Sequence, residues 1–201
     1  MRSMKRLIAM IALAAALPSL LQGCAPVVIG GTAMGVSVVH DRRDSATVLD
    51  DKKIVFQIQG QISEDKSLGE HASIGVTSYH RVVLLIGQAE TPEIKARIAA
   101  IARAAPKVKR VVDEVSIGPR SSLGDESNDA YLTSQVKLAL FSIEIVDFDP
   151  SRIKVVTEQK VVYLMGLVTA EEATATVEKA RYVKGVKRVV RLFENYTQPK
   201  S

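Results

Sequence analysis

The hydrophobic pattern changes period several times along the chain, and the succession of periods occurs twice. Residues 50–62 carry Ile54, Ile58 and Ile62 at i, i+4 and i+8, the stripe of an amphipathic helix. Residues 73–88 are rich in Val, Ile and Thr and read as a β-hairpin. Thr91-Pro92 supplies an N-cap and a proline at the first position of a second helix, and residues 108–117 form a closing strand. The order then returns: a helix over 128–143, a hairpin over 152–168, a helix opened by the capping box Thr169-x-x-Glu172, and a strand over 186–196. Val108-Lys109-Arg110-Val111-Val112 recurs verbatim as Val186-Lys187-Arg188-Val189-Val190, and Val82-Val83-Leu84-Leu85-Ile86-Gly87 parallels Val161-Val162-Tyr163-Leu164-Met165-Gly166. Each repeat is therefore an α-β-β-α-β unit, an α+β sandwich with two helices packed on one face of a small mixed three-stranded sheet. The units span 50–118 and 127–197, joined by a Gly-, Pro- and Ser-bearing linker over 119–126.

The N-terminal end has a different character. A basic stretch to Arg6 precedes an apolar run over residues 7–21, the layout of a secretory signal over residues 1–23. Fifteen helical residues reach about 22 Å, short of a hydrocarbon core of roughly 30 Å, so a permanent span is disfavoured. Leu21-Gln22-Gly23-Cys24 resembles the bacterial lipoprotein box, which implies acylation of Cys24, the only cysteine, as the first mature residue. Ala25 follows that cysteine in place of the Asp that retains lipoproteins in the inner membrane, so the resemblance implies the outer membrane. Residues 24–49 read as a lipidated tether. Its first part is apolar, with Gly30, Gly31 and Gly35 spread through it and neither helical period nor caps.

Composition narrows the function more than it suggests one. The net charge is +5, but Arg2, Lys5 and Arg6 lie in the leader, leaving too little positive charge for nucleic acid to be argued as a partner. One cysteine excludes an internal disulfide or a cysteine metal cluster, and His40, His71 and His80 lack ligand spacing and read as surface residues. No nucleophile elbow, phosphate loop or zinc spacing occurs, so no catalytic residue, metal or cofactor is assigned. The carboxylate pairs Asp50-Asp51 and Glu171-Glu172 fall at expected helix starts, where they complement the helix dipole.

The repeat serves as an internal control. Ile54, Ile58 and Ile62 pair with Leu132, Val136 and Leu140, an apolar stripe shared by both copies and hence core. Tyr131, Leu138 and Phe141 pair instead with Lys53, Gly60 and Ser63, and lie on the opposite side of the helix. An apolar strip turned outward marks an interface. Three explanations stand: contact with an anionic membrane, with Lys137 meeting phosphate; packing of one unit on the other; or docking of an envelope protein partner.

Val83-Leu84-Leu85-Ile86-Gly87, Val162-Tyr163-Leu164-Met165-Gly166-Leu167-Val168-Thr169 and Gly185-Val186-Lys187-Arg188-Val189 together resemble the BON family of bacterial envelope domains. In the first copy Pro106-Lys107 precedes Val108 where that family carries Gly. His40-Asp41-Arg42-Arg43 and residues 124–129 are similar to the dual-BON outer-membrane lipoproteins, although Ala46 and Tyr131 stand where that group tends to carry Gly and Trp. The resemblance implies a non-enzymatic lipoprotein on the periplasmic face of the outer membrane that binds anionic phospholipid and supports envelope integrity. The expected phospholipid site on the second domain comprises Tyr131, Gln135, Lys137, Leu138 and Phe141, with Cys24 as the lipid anchor. The rival expectation is a periplasmic adaptor whose second-domain helix docks a protein partner of the envelope assembly or division machinery.

Overall fold

The computed structural model describes residues 41–197. The signal sequence, Cys24, the glycine-bearing part of the tether and His40 lie outside the described residues. The first repeat comprises helix α1 (Ser45–Glu64), the short helix α2 (Lys66–His71), strands β1 (Ala72–Tyr79) and β2 (Val82–Ala89), helix α3 (Pro92–Ala104), and strands β3 (Arg110–Asp113) and β4 (Ser116–Ile117). The second comprises α4 (Leu123–Leu140), a 3₁₀ turn (Pro150–Arg152), β5 (Lys154–Glu158), β6 (Val161–Val168), α5 (Ala170–Arg181) and β7 (Arg188–Asn195). In each repeat the central strand pairs antiparallel with its hairpin partner and parallel with the strand that follows the second helix. The fold is α+β, with two small mixed sheets.

Several boundaries differ from the sequence expectation, each for a local reason. Residues 41–49 were expected within the tether, but Asp44 caps α1 by accepting from the Thr47 N–H at 2.8 Å, so the helix begins at Ser45. Likewise α4 begins inside the expected linker, because Ser122 and Asp125 form a reciprocal capping box. Helix α2, unassigned from the sequence, starts at the N-cap Asp65. The expected third strand of the first unit is split. Asp113 accepts from the Val115 N–H at 3.1 Å and turns the chain between β3 and β4, which keep one register against β2. In the second unit β7 runs unbroken along β6.

Asp50 and Asp51 are corrected too. They sit in the second turn of α1 and are buried, and they do not serve the helix start. Both hairpins close through two-residue turns whose central residues have positive φ: His80 and Arg81 at 51° and 66°, Gln159 and Lys160 at 49° and 63°. This is the I′ backbone, which favours Asn-Gly and strains longer side chains. The turn is held by a helix carboxylate. Asp51 accepts from the His80 and Arg81 N–H groups at 2.8 and 2.7 Å, and its repeat counterpart Asp129 accepts from those of Gln159 and Lys160 at 2.6 and 2.9 Å. Replacing Gln159-Lys160 with Asn-Gly relieves the strain and keeps the carboxylate bonds, so it should raise stability by about 1 kcal/mol in a urea titration. A decrease would show that the two side chains stabilise the turn.

Residue 107 follows the same logic. Lys107 adopts φ 67°, the left-handed conformation that its counterpart Gly185 takes at 100°. The first copy thus keeps the backbone of the Gly-Val element without its glycine, and Lys107 Nζ reaches Asp50 at 2.6 Å.

Three apolar clusters form. One lies between the helices and sheet of the first unit, a second between those of the second, and the third between the sheets themselves. Val83 and Leu85 face the first unit's helices, whereas Val82, Leu84 and Ile86 meet Tyr163, Met165 and Leu192 of the second unit. The continuous apolar runs in β2 and β6 are those of strands buried on both faces. The two units therefore pack sheet to sheet, with helices outermost.

Candidate functional site

Sheet-to-sheet packing leaves the outer face of α4 uncovered. Leu132, Val136 and Leu140 turn inward and are buried. Tyr131, Leu138 and Phe141 turn outward and are 59%, 63% and 73% exposed. Gln135 is half-buried at the edge of this strip, and Lys137 is exposed in the last turn of the helix. Packing of the strip against the first unit, one of the three explanations above, is not what this arrangement shows. Lys137 and Phe141 do approach the first unit, across a groove of about 750 Å³ that also receives Lys52 and Phe56 from α1 and Lys154 from β5. Tyr131, Gln135 and Leu138 lie outside that groove. The structure thus divides the expected site into an outward strip and a groove edge.

Phe56, 79% exposed, was missed in the sequence. Its repeat counterpart is Ser134, so searching the first copy for apolar positions without a partner would have found it. Lys52, Lys137 and Lys154 have no ion pair among the described residues. In contrast, Arg43 at the groove margin is neutralised by Asp41 and Asp51 at 2.6 and 2.9 Å.

The segment before α1 carries the largest surprise. Arg42 makes a bidentate pair with Glu172 at 2.5 and 2.9 Å, donates to the Leu167 carbonyl at 3.2 Å and lies over the Tyr196 ring at 4.1 Å. Arg43 turns the other way, over the Tyr79 ring at 3.8 Å. Consecutive arginines thus clasp both units at the point where the tether meets the folded body. Burial raises the Glu172 pKa, but the Arg42 guanidinium and the Thr169 N–H outweigh it and hold the carboxyl below its ordinary value.

Polar contacts continue around the sheet interface. The Tyr79 hydroxyl donates to the Arg152 carbonyl at 3.1 Å, and the Tyr163 hydroxyl donates to Glu114 at 3.2 Å. Burial and the neighbouring Glu114 carboxylate push Tyr163 up to about 12. His80, expected at the surface, is half-buried and hydrogen-bonded to Glu194 of the second unit, while His71 pairs with Glu90 in the open. Among the described residues, no group of three or more His, Cys, Asp and Glu side chains is placed to hold a metal ion. No helix among them is long and apolar enough to cross a membrane.

The fold is a tandem pair of α+β domains with an exposed apolar strip on the second. Residues 50–119 and 128–194 each match the BON domain, and the chain belongs to the BON-domain family. It is 33% identical to the outer membrane lipoprotein DolP of Haemophilus influenzae over 87% of this chain and 89% of that protein. It is also 33% identical to the 21 kDa hemolysin of Actinobacillus pleuropneumoniae, over 79% of this chain and 80% of the relative. A solved structure of CdsD, a structural protein of the type III secretion system of Chlamydia trachomatis, overlays on 72% of this chain and 93% of its own at 12% identity. Its TM-score is 0.27, too low for any comparison of arrangement.

Proposed function

We propose that this chain is a non-enzymatic outer-membrane lipoprotein, held at the periplasmic face by acylated Cys24, that binds anionic phospholipid through its second BON domain and supports outer-membrane integrity. The observation that carries the reading is the outward strip of α4: Tyr131, Leu138 and Phe141 exposed together beside Lys137, which has no ion pair among the described residues, on a helix whose other face fills the core. The names of the two relatives, an outer membrane lipoprotein and a hemolysin, support a membrane setting.

The energetics suit a tethered protein. Full burial of a Leu or Phe side chain contributes about 1.5–3 kcal/mol, and partial insertion less. A lysine near an anionic surface adds about 1 kcal/mol, reduced by salt. Such contacts are weak for a free protein, but an acyl anchor supplies a high effective concentration, so they suffice to orient the body. Tyr131 has the amphipathic ring favoured at headgroup depth, and the half-buried Gln135 amide lies within reach of the same zone.

The test uses the mature chain with Cys24→Ser, so that no acyl chain masks the protein's own affinity. Co-sedimentation with phosphatidylglycerol vesicles should weaken about tenfold on Leu138→Glu, while the urea midpoint stays unchanged. Undiminished sedimentation would overturn the strip as the lipid contact and leave it to a protein partner.

A further inference from the structure

We propose that the groove between the two BON domains is a second lipid site, which takes one acyl chain of an anionic phospholipid and holds its phosphate on lysines from both domains. The outward strip of α4 is one exposed helix face, which in the proposed reading lies against a membrane. The groove differs in shape and in ownership: its volume of about 750 Å³ falls within the range of small-molecule sites, and its walls come from both repeats. Phe56 and Phe141, among the most exposed large apolar side chains described, both line it, one from each domain. An apolar ligand lying between them would remove both from water.

Charge selects the occupant. Lys52, Lys137 and Lys154 face the groove without an ion-pair partner among the described residues. Two carboxylates reach the groove: Asp51 is taken up by Arg43, Ser78 and two backbone N–H groups, and Asp149 accepts from the Ser151 N–H at 2.8 Å. Three ammonium groups without an ion-pair partner among the described residues, set around an apolar trough, fit a ligand that is anionic at one end and hydrocarbon at the other. They do not fit a neutral peptide, and an anionic solute without a chain leaves the two phenylalanines uncovered. The trough is framed by β1 and β5 as well as by the helices, so it exists only while the two sheets are packed together. The inference extends the proposed phospholipid binding to a domain that the outward strip does not involve.

A monomeric lipid separates the groove from the membrane-facing strip. The mature Cys24→Ser chain, with labelled Val and Ile methyls, is titrated with dihexanoyl phosphatidylglycerol below its micelle concentration. Saturable shifts are expected at Val55, Val76 and Ile153, which line the groove. Dihexanoyl phosphatidylcholine should bind about fivefold more weakly, and glycerol phosphate, which lacks a chain, should leave these methyls unmoved. Phe56→Ser should weaken binding about tenfold and Lys52→Glu about fivefold. Leu138→Glu should leave the monomer titration unchanged while reducing vesicle sedimentation, because Leu138 lies on the strip and not in the groove. Normal vesicle binding without monomer shifts at Val55 and Val76, or monomer shifts insensitive to Phe56→Ser, would overturn the groove and leave the strip standing. The converse result, monomer binding with vesicle binding insensitive to Leu138→Glu, would overturn the strip alone. If deleting residues 25–39 moves the Val55 and Val76 methyls without lipid, the groove belongs to the chain's own apolar segment and the inference fails.

Discussion

Arg42→Ala should destabilise the folded chain by about 3–5 kcal/mol, as expected when one partner of a buried ion pair is removed. The Arg42 and Glu172 side chains are 11% and 3% exposed. Alanine leaves Glu172 buried with its capping bond to the Thr169 N–H at 2.8 Å and a distant guanidinium, Arg152 at 4.0 Å. It also removes the cation over Tyr196 and the bond to the Leu167 carbonyl, both of which join the segment before α1 to the second domain. The loss therefore falls on the docking of the two domains as well as on the pair.

The pH dependence supplies an independent check. In the wild type the Glu172 carboxyl lies below its ordinary value of 4.5, so its contribution to stability is fully present above that pH. The contribution is lost as pH falls through the lower folded value. Without Arg42 the uncompensated burial of Glu172 pushes its pKa up, so the variant gains stability as the carboxyl takes up a proton. The gap between wild type and variant should accordingly narrow between pH 7 and pH 4 in urea titrations. A cost that stays constant with pH would show that Arg42 acts through packing on Tyr196 and not through Glu172.

Nothing in the residue pattern pointed to that clasp. Arg42 and Arg43 are adjacent, belong to no periodic run, and precede a helix that was expected five residues later than it starts. Asp51 lies on the helix that follows, but Glu172, Tyr196 and Tyr79 are distant in the chain and come near only in the folded body. The helices and hairpins were legible because burial on one face imposes a period, and because Thr91-Pro92 and Thr169-x-x-Glu172 mark helix starts locally. Asp51 and Asp129 were harder. A carboxylate on a helix face looks solvated until the hairpin turn folds back on it. The sheet interface was legible in principle, since Val82 to Ile86 is apolar at every position and a strand covered on one face alone would alternate. For the candidate site, the repeat comparison found Tyr131, Leu138 and Phe141. It overlooked Phe56 because it asked only what the second copy had gained.

The same comparison yields a sharp contrast at the matching glycines of the two central strands. Gly87→Ala should cost on the order of 3–5 kcal/mol, the sum of a left-handed backbone penalty and forced overpacking. Gly166→Ala, at the matching place in the repeat, should cost about 1–2 kcal/mol. Gly87 has φ 107°, and a Cβ there would sit 2.0 Å from the Ser73 carbonyl oxygen, a contact that only movement of β1 can relieve. Gly166 lies outside the left-handed region, and its Cβ would meet the Arg152 carbonyl at 3.1 Å and the end of the Ile153 side chain at 3.3 Å. There a shift of a few tenths of an ångström is enough. The difference coincides with the split between β3 and β4, which falls beside Gly87, whereas β7 passes Gly166 without a break. Urea unfolding of the two variants should place Gly87→Ala far below Gly166→Ala. Amide exchange in Gly87→Ala should rise first across the pairing of β1 with β2, where Ile74 faces residue 87. Equal costs for the two substitutions would mean that β1 yields without penalty, and that the positive φ at Gly87 is incidental to the fold.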